Sequence, residues 1–118
     1  MPWQVFNVDQ YEAYQVALNT IGFPDIYAFI KLHWGGQVRA TLWFHRDSAA
    51  SVPPNGSFSS GKVTEYYARF RQAEYRDAID LLRNEKPVFF QWNDTTSGAF
   101  LATGSEPIGE GERPPAVR

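Results

Sequence analysis

The segment GSFSSGKV, which runs from Gly56 to Val63, comes close to the signature of a nucleotide-binding loop. That signature requires a glycine, four residues, Gly-Lys and then a serine or threonine whose hydroxyl group ligates magnesium. Val63 occupies this final position and Thr64 comes one residue too late, so the segment predicts no nucleotide cofactor. If a helix begins after this loop, its free amide groups at Gly61, beside the charge of Lys62, could contact an anion.

A second group of residues interleaves aromatic rings with cations. Two runs of alternating apolar residues flank GGQ at positions 35–37, which predicts a hairpin over residues 26–46 with a three-residue loop and a bulge. One face of this hairpin is apolar, and the other carries the candidate ligand-binding or partner-binding residues Phe29, Lys31, His33, Arg39, Trp43 and His45. The predicted cross-strand pairs are Phe29 with Trp43, Lys31 with Thr41, His33 with Arg39, Tyr27 with His45, Leu32 with Ala40, and Trp34 with Val38.

Such a face has several possible uses. Stacking rings beside cations can bind single-stranded nucleic acid or an anionic aromatic ligand. A protein partner could also cover the rings, or the first segment of the chain could do so. No metal site is predicted, because this register separates His33 from His45 by about six residues, or about 20 Å at roughly 3.3 Å per residue.

The longest predicted helix covers residues 62–85 and ends before Pro87. Its first half places apolar residues on one stripe, but at about 100° per residue Glu74 and Asp77 fall on the continuation of that stripe. Either the helix bends or has a second apolar face for a partner, or both carboxylates point inward as an acid/base pair. The first explanation is favoured, because no cation is predicted on the core face to neutralise two buried carboxylates.

Composition restricts the class of protein. The 118 residues fit one domain, the formal net charge of -2 gives no overall attraction to nucleic acid, and the absence of cysteine excludes disulfides and thiolate sites. No apolar run approaches the roughly 20 residues of a membrane helix, and the first residues do not resemble a signal peptide. We therefore expect a soluble, cytoplasmic protein with no membrane contact.

The predicted fold is of the α+β class. It has an antiparallel sheet of four to five strands, built from hairpins at about 26–46 and 87–104, with the helix at 62–85 packed on one face and a shorter helix at about 10–21. The second hairpin is expected to pair Trp92 with Phe100 and Phe90 with Ala102. Residues 1–105 form the single domain, with a mobile loop at 48–60, and residues 106–118 form a disordered tail.

Three functions follow from these patterns. The leading hypothesis is a non-catalytic interaction domain that associates with itself as a homodimer or other homo-oligomer, or with a protein partner, through the aromatic sheet face or the second helix face. The alternative is a binding module for single-stranded nucleic acid or a small anionic ligand. The third is a small enzyme that uses Glu74 and Asp77. None of the three requires a cofactor.

Overall fold

The computed structural model describes residues 3–104, and in this part of the chain the protein is mostly β-structure. The strands are β1 (Trp3–Asn7), β2 (Gln10–Gln15), β3 (Ile26–Trp34), β4 (Gln37–His45), β5 (Gly56–Ser60), β6 (Val63–Arg71), β7 (Val88–Asn93) and β8 (Ala99–Thr103). A 3-10 turn at Gln72–Glu74 leads into the short helix α1 (Tyr75–Asn84). The predicted α+β fold, with a long helix across one sheet, is therefore wrong.

The strands form two sheets, and the chain passes between them after β1 and again through α1. The small sheet has the antiparallel order β1-β7-β8, and the large sheet has the order β2-β3-β4-β6-β5, in which only β4 and β6 run parallel. The chain passes between them just after β1, where the Val8 amide donates to the Val88 carbonyl at 2.9 Å. The next amide, of Asp9, donates to the His33 carbonyl of the large sheet at 2.8 Å. Consecutive residues thus hydrogen-bond to different sheets.

The segment predicted as the first half of the long helix is the strand β6. Tyr66 and Ala68 are buried against the core. Tyr67 and Arg69, which alternate with them along the strand, point to the opposite face. Because β6 pairs with β4 on one side and β5 on the other, two hydrogen-bonded ladders outweigh its helical pattern. The two apolar faces predicted for one long helix therefore belong to two elements, the strand β6 and the helix α1.

The helix predicted over residues 10–21 is also absent. Residues 10–15 form the edge strand β2, which pairs antiparallel with β3, and residues 16–25 form a loop. Tyr11 packs against the core, while Tyr14 is exposed on the other face. Tyr11 and Tyr14 are three residues apart, a spacing that places them on opposite faces of the strand. In a helix the same spacing would have placed them on one face.

The first predicted hairpin is confirmed, but its loop is shorter than expected. Gly35 and Gly36 have φ angles of 64° and 82°, which suit a two-residue turn that only glycine adopts easily. The bulge falls at Arg39 instead, so His33 pairs with Val38 rather than with Arg39, and Trp34 pairs with Gln37 rather than with Val38. A second irregularity at Tyr27 pairs Ile26 with His45. Between the irregularities the predicted pairs are confirmed: Phe29 with Trp43, Lys31 with Thr41, and Leu32 with Ala40.

The second hairpin also exists, with its register one residue away from the prediction. Trp92 pairs with Ala99 and Phe90 with Leu101, so Phe100 lies on the solvent side and is 56% exposed. The Asn93 side-chain oxygen accepts hydrogen bonds from the amides of Thr95 and Thr96, which fixes the turn.

The hydrophobic core lies between the two sheets. Ile30, Leu32, Leu42 and Phe44 of the large sheet are fully buried, and Phe90 of the small sheet meets them. The helix α1 closes one end of the core with the partly buried side chains of Tyr75, Ala78, Ile79 and Leu82. All of this packing uses one face of the large sheet, which leaves the opposite face available for other contacts.

The remaining predictions concern the loop at 48–60 and the tail at 106–118. Within the predicted loop at 48–60, residues 56–60 form the strand β5 at the edge of the large sheet. The predicted disordered tail at 106–118 lies outside the described residues.

Candidate functional site

The face of the large sheet that points away from the core, called the outer face here, carries most of the candidate residues. Its members on β2, β3, β4 and β6 include Glu12, Tyr14, Ile26, Phe29, Lys31, His33, Thr41, Trp43, His45, Glu65, Tyr67 and Arg69. Arg39 is not among them: its guanidinium carbon lies 5.5 Å from the centre of the Trp34 ring, and Trp34 belongs to the core. The bulge at Arg39 accounts for this displacement.

The aromatic rings of the outer face stack on one another. Tyr14 stacks on Phe29 with ring centroids 4.7 Å apart, and Phe29 contacts Trp43 at 5.0 Å. Phe23, from the loop after β2, lies against both Phe29 and Trp43, at 5.7 and 6.2 Å. Part of the face is therefore covered by the chain itself.

Beside this stack lies a cavity of about 450 Å³, called the Arg69 pocket here. It is open to solvent, and four chain segments meet around it. Its lining residues are Gly22, Phe23, Pro24, Ile26, Trp43, His45, Pro53, Tyr67 and Arg69. The walls are mostly apolar or aromatic, and Arg69 and His45 are the basic side chains among the lining residues.

Arg69 is the most distinctive residue of the pocket. Its guanidinium carbon lies 5.3 Å from the centre of the Tyr67 ring and 5.8 Å from that of Trp43. The buried Nε atom has no hydrogen-bond partner among residues 3–104, and no carboxylate of that region forms an ion pair with this arginine. Burial lowers the pKa of Arg69, since the charged form loses hydration. An arginine cation thus sits between two rings without a counter-ion among the residues that the structure describes.

His45 is the second polar group and is only 4% exposed. Its Nε2 atom lies 3.4 Å from Nη1 of Arg69, and because a guanidinium can only donate, Nε2 must accept. Burial, followed by the positive charges of Arg69 and Arg71, lowers the pKa of His45, while Asp25 acts in the opposite direction. The imidazole is therefore neutral in the folded protein near pH 7.

This arrangement makes folding sensitive to mild acid. An unfolded histidine titrates near 6.5, so between that value and the lower pKa of folded His45 only the unfolded chain binds the proton. The free energy of unfolding should therefore fall as the pH drops below 6.5. Urea denaturation of wild type and His45→Gln, from about pH 7.5 to pH 5, should show a smaller loss in the variant. Equal losses would mean that the fold does not hold His45 neutral.

The remaining predicted residues fall into two groups. On the outer face, Lys31 lies over the Tyr14 ring at 5.4 Å, and His33 bonds to Glu12 at 2.6 Å. Glu12 also accepts from the Tyr14 hydroxyl; these two hydrogen bonds, with Tyr14 the larger cause, lower the pKa of Glu12. These contacts tie β2 to β3. By contrast, Gly61 and Lys62 form the turn between β5 and β6, so the helix start that suggested an anion contact there does not exist.

Sequence reasoning missed Tyr67, Arg69 and Phe23. The predicted long helix includes Arg69, and Tyr66, Tyr67 and Phe70 fit a helical stripe to which Arg69 does not belong. A usable signal was present in the alternation Tyr67, Arg69, Arg71 against Tyr66, Ala68, Phe70, which has the period of two of a strand. Phe23 left no local signal, because only the tertiary fold brings it onto the sheet.

The candidate carboxylates of the enzyme hypothesis do not point inward. Glu74 and Asp77 are both exposed, and Glu74 accepts a hydrogen bond from the Arg71 amide at 3.1 Å, which caps the 3-10 turn. Between residues 3 and 104, no three or more His, Cys, Asp or Glu side chains gather as metal ligands. The helix in this region is too short and too polar to cross a membrane.

Comparisons with protein-family models, with curated proteins and with solved structures find no match for this chain. The function must therefore be inferred from the geometry of the pocket itself.

Proposed function

We propose that this protein is a non-catalytic binding module that holds the anionic group of a ligand or partner in the Arg69 pocket. The observation that carries the proposal is the half-buried Arg69 guanidinium, placed between Trp43 and Tyr67 without a carboxylate partner in the described region. A buried cation without a counter-ion costs stability, and a bound anion would remove that cost.

The pocket offers a suitable chemistry for such a group. A guanidinium presents donors in a planar fork that matches the two oxygens of a carboxylate or phosphate. The rings of Phe23, Trp43 and Tyr67 line the pocket beside the half-buried Arg69. A charge-assisted hydrogen bond is stronger at such a partly desolvated site than in bulk water. The same rings can contact a flat apolar body attached to the anion.

The stacking geometry favours a small anionic group over a nucleic-acid strand. Strand binding needs ring faces that are free to stack on successive bases. Here Tyr14 and Phe29 stack at an interplanar angle of 13°, and Phe23 and Phe29 at 3°, so these faces are occupied by one another.

Self-association of two outer faces is also less favourable than binding an acidic partner. A twofold axis brings the same patch of both copies together. If the axis passes near the aromatic stack, Lys31 and Arg69 of the two copies would approach one another, and like charges across an interface are destabilising.

The proposal can be tested by titrating the whole chain with three related compounds and measuring heats of binding. Phenylacetate and phenyl phosphate carry an anion on a flat ring, and benzyl alcohol has a similar ring without charge. We expect both anions, or one of them, to bind and benzyl alcohol not to bind. Equal binding of benzyl alcohol, or binding of none of the three, would contradict the proposal.

A glycine positions one wall of the pocket and provides a further test. Gly56 pairs directly with Tyr67, and a Cβ atom at Gly56 would lie 2.5 Å from the tyrosine hydroxyl. Gly56→Ala should therefore displace the Tyr67 ring and reduce the affinity for the bound anion, while the chain still folds with a loss of about 1–3 kcal/mol. Ser57→Ala, at the next and exposed position, serves as the control. Unchanged affinity in Gly56→Ala would show that Tyr67 does not contact the ligand.

A further inference from the structure

A second hollow lies next to the Arg69 pocket, on the other side of the segment 22–24. It has a volume of about 620 Å³, and the two cavities share Gly22, Phe23 and Pro24 as a common wall. Leu18 and Ile21 line this second hollow, and they are 73% and 96% exposed. Two aliphatic side chains are thus presented to solvent directly beside the anion pocket.

The loop that carries them is held in place by hydrogen bonds at both ends. The Val16 amide donates to the Tyr27 carbonyl at 2.9 Å, and the Arg46 guanidinium donates to the Val16 carbonyl at 2.6 Å. Within the loop, the Thr20 hydroxyl donates to the Ala17 carbonyl at 2.7 Å, and the Ile26 amide donates to the Phe23 carbonyl. The exposure of Leu18 and Ile21 is therefore part of a bonded loop structure.

We infer that the occupant of the Arg69 pocket is an acidic side chain of a protein partner, whose neighbouring apolar residues cover Leu18 and Ile21. This inference rests on the proposed function. The partner is a chain segment with at least one Asp or Glu beside aliphatic or aromatic residues.

Charge complementarity supports an acidic partner. Arg46 lines the second hollow and Arg69 lines the pocket, and Arg71 lies two residues beyond Arg69 on β6. Among residues 3–104, Asp25 is the one acid that lines either cavity. The chain as a whole has a net charge of -2, so this basic region is local. A basic area on an acidic protein would direct an acidic segment to this site.

The exposed aliphatic residues support a macromolecule over a small molecule. A small ligand enclosed by Arg69, Trp43 and Tyr67 would leave Ile21 fully in water. A segment that continues over the wall at Gly22 to Pro24 would cover it, and contiguous apolar residues at the surface are typical of protein contacts. In such interfaces a central arginine and aromatic cluster supplies much of the affinity, with flanking contacts that exclude water.

The test selects short random-sequence peptides displayed on phage against the immobilised full-length chain. The affinities of enriched peptides are then measured for wild type and three variants: Arg69→Gln, the double variant Leu18→Ser with Ile21→Ser, and Val5→Ser. Val5 is the matched control, because it is an aliphatic residue that is 57% exposed on β1, in the other sheet. Phenylacetate is titrated against the same variants.

We expect the enriched peptides to contain an acidic residue next to apolar ones. Their affinity should fall at least about ten-fold in Arg69→Gln and in the double variant, and should not change in Val5→Ser. Phenylacetate should bind the double variant as it binds wild type, since the small anion does not reach Leu18 or Ile21.

Other outcomes overturn the inference in distinguishable ways. If phenylacetate binds but no acidic peptide is enriched, the pocket serves a small ligand. If the double variant keeps full peptide affinity, the partner does not cover Leu18 and Ile21. In both cases only the inference fails. If sedimentation shows a dimer that the double variant dissociates, the occupant is a second copy of the chain. If the peptides, phenylacetate and phenyl phosphate all fail to bind, the proposed function fails as well.

Discussion

Replacing Phe90 with alanine should lower the free energy of unfolding by about 3–5 kcal/mol. Phe90 is fully buried between the two sheets, and its ring stacks on Trp34 at 5.8 Å and contacts Tyr66 at the same distance. Removing the ring takes away its burial and leaves a cavity that surrounding rings cannot fill without moving. Since small domains are stable by about 5–15 kcal/mol, this loss is a large fraction of the total.

The matched control is Phe100→Ala in the adjacent strand β8. Phe100 is 56% exposed and stacks on Trp3 at the solvent side of the small sheet, so its loss should amount to about 1 kcal/mol or less. Urea denaturation of both variants, followed by circular dichroism, measures the difference. Similar losses for Phe90→Ala and Phe100→Ala would contradict the observed register of β7 and β8.

Replacing Arg69 with glutamine should reduce the affinity for phenylacetate at least about ten-fold, to a level near that of benzyl alcohol. Glutamine keeps a polar, flexible side chain but removes the charge and the planar fork. The free energy of unfolding should change by no more than about 1 kcal/mol or should rise, because the buried cation has no counter-ion within residues 3–104. If Arg69 served only stability, the substitution would lower the free energy of unfolding and leave the affinity for phenylacetate unchanged.

Arg39→Gln is the control for this substitution. Arg39 carries the same charge and also lies over an indole ring, that of Trp34, but outside the outer face. The Arg39→Gln substitution should therefore leave phenylacetate binding unchanged, although it changes the net charge by the same amount as Arg69→Gln. Heats of binding and urea denaturation of both variants are the measurements. Loss of binding in both, or in neither, would show that the charge at Arg69 is not what the ligand recognises.

The sequence predicted the hairpins well because their signals are local. Alternating residues on both sides of Gly35 and Gly36 give the centre of the β3 and β4 pairing, including Phe29 with Trp43. The exact loop could not be predicted in the same way, because moving the bulge from the loop to Arg39 changes no residue of the buried face between Ala28 and Leu32. Arg39 was therefore assigned to the wrong face.

The long helix failed for a different reason. Tyr66, Tyr67 and Phe70 fit a helical stripe, and the period of a strand is obscured because Tyr67 is aromatic although it faces outward. The deciding contribution comes from hydrogen bonds to β4 and β5, which are distant in sequence or joined by a tight turn. Local propensity cannot include such tertiary pairing.

The candidate site was predicted in part for the same reason. Trp43 and His45 lie in the Arg69 pocket, where the prediction had placed a binding face, because both follow from the pairing of β3 and β4. Arg69 and Tyr67 depended on recognising β6 as a parallel neighbour of β4. Phe23 depended on a loop folding back over the sheet, which residue patterns do not encode.

The most direct test of the proposed site is a nitrogen-15 correlation spectrum of the full chain, recorded during titration with phenylacetate. The chain has four tryptophans, of which Trp43 lines the pocket while Trp34 and Trp92 belong to the core cluster. We expect the Trp43 indole and the Arg69 Nε resonances to shift together with ligand concentration, and those of Trp34 and Trp92 to stay in place. Shifts at Trp3 or at the core tryptophans without any at Trp43 and Arg69 would contradict the account.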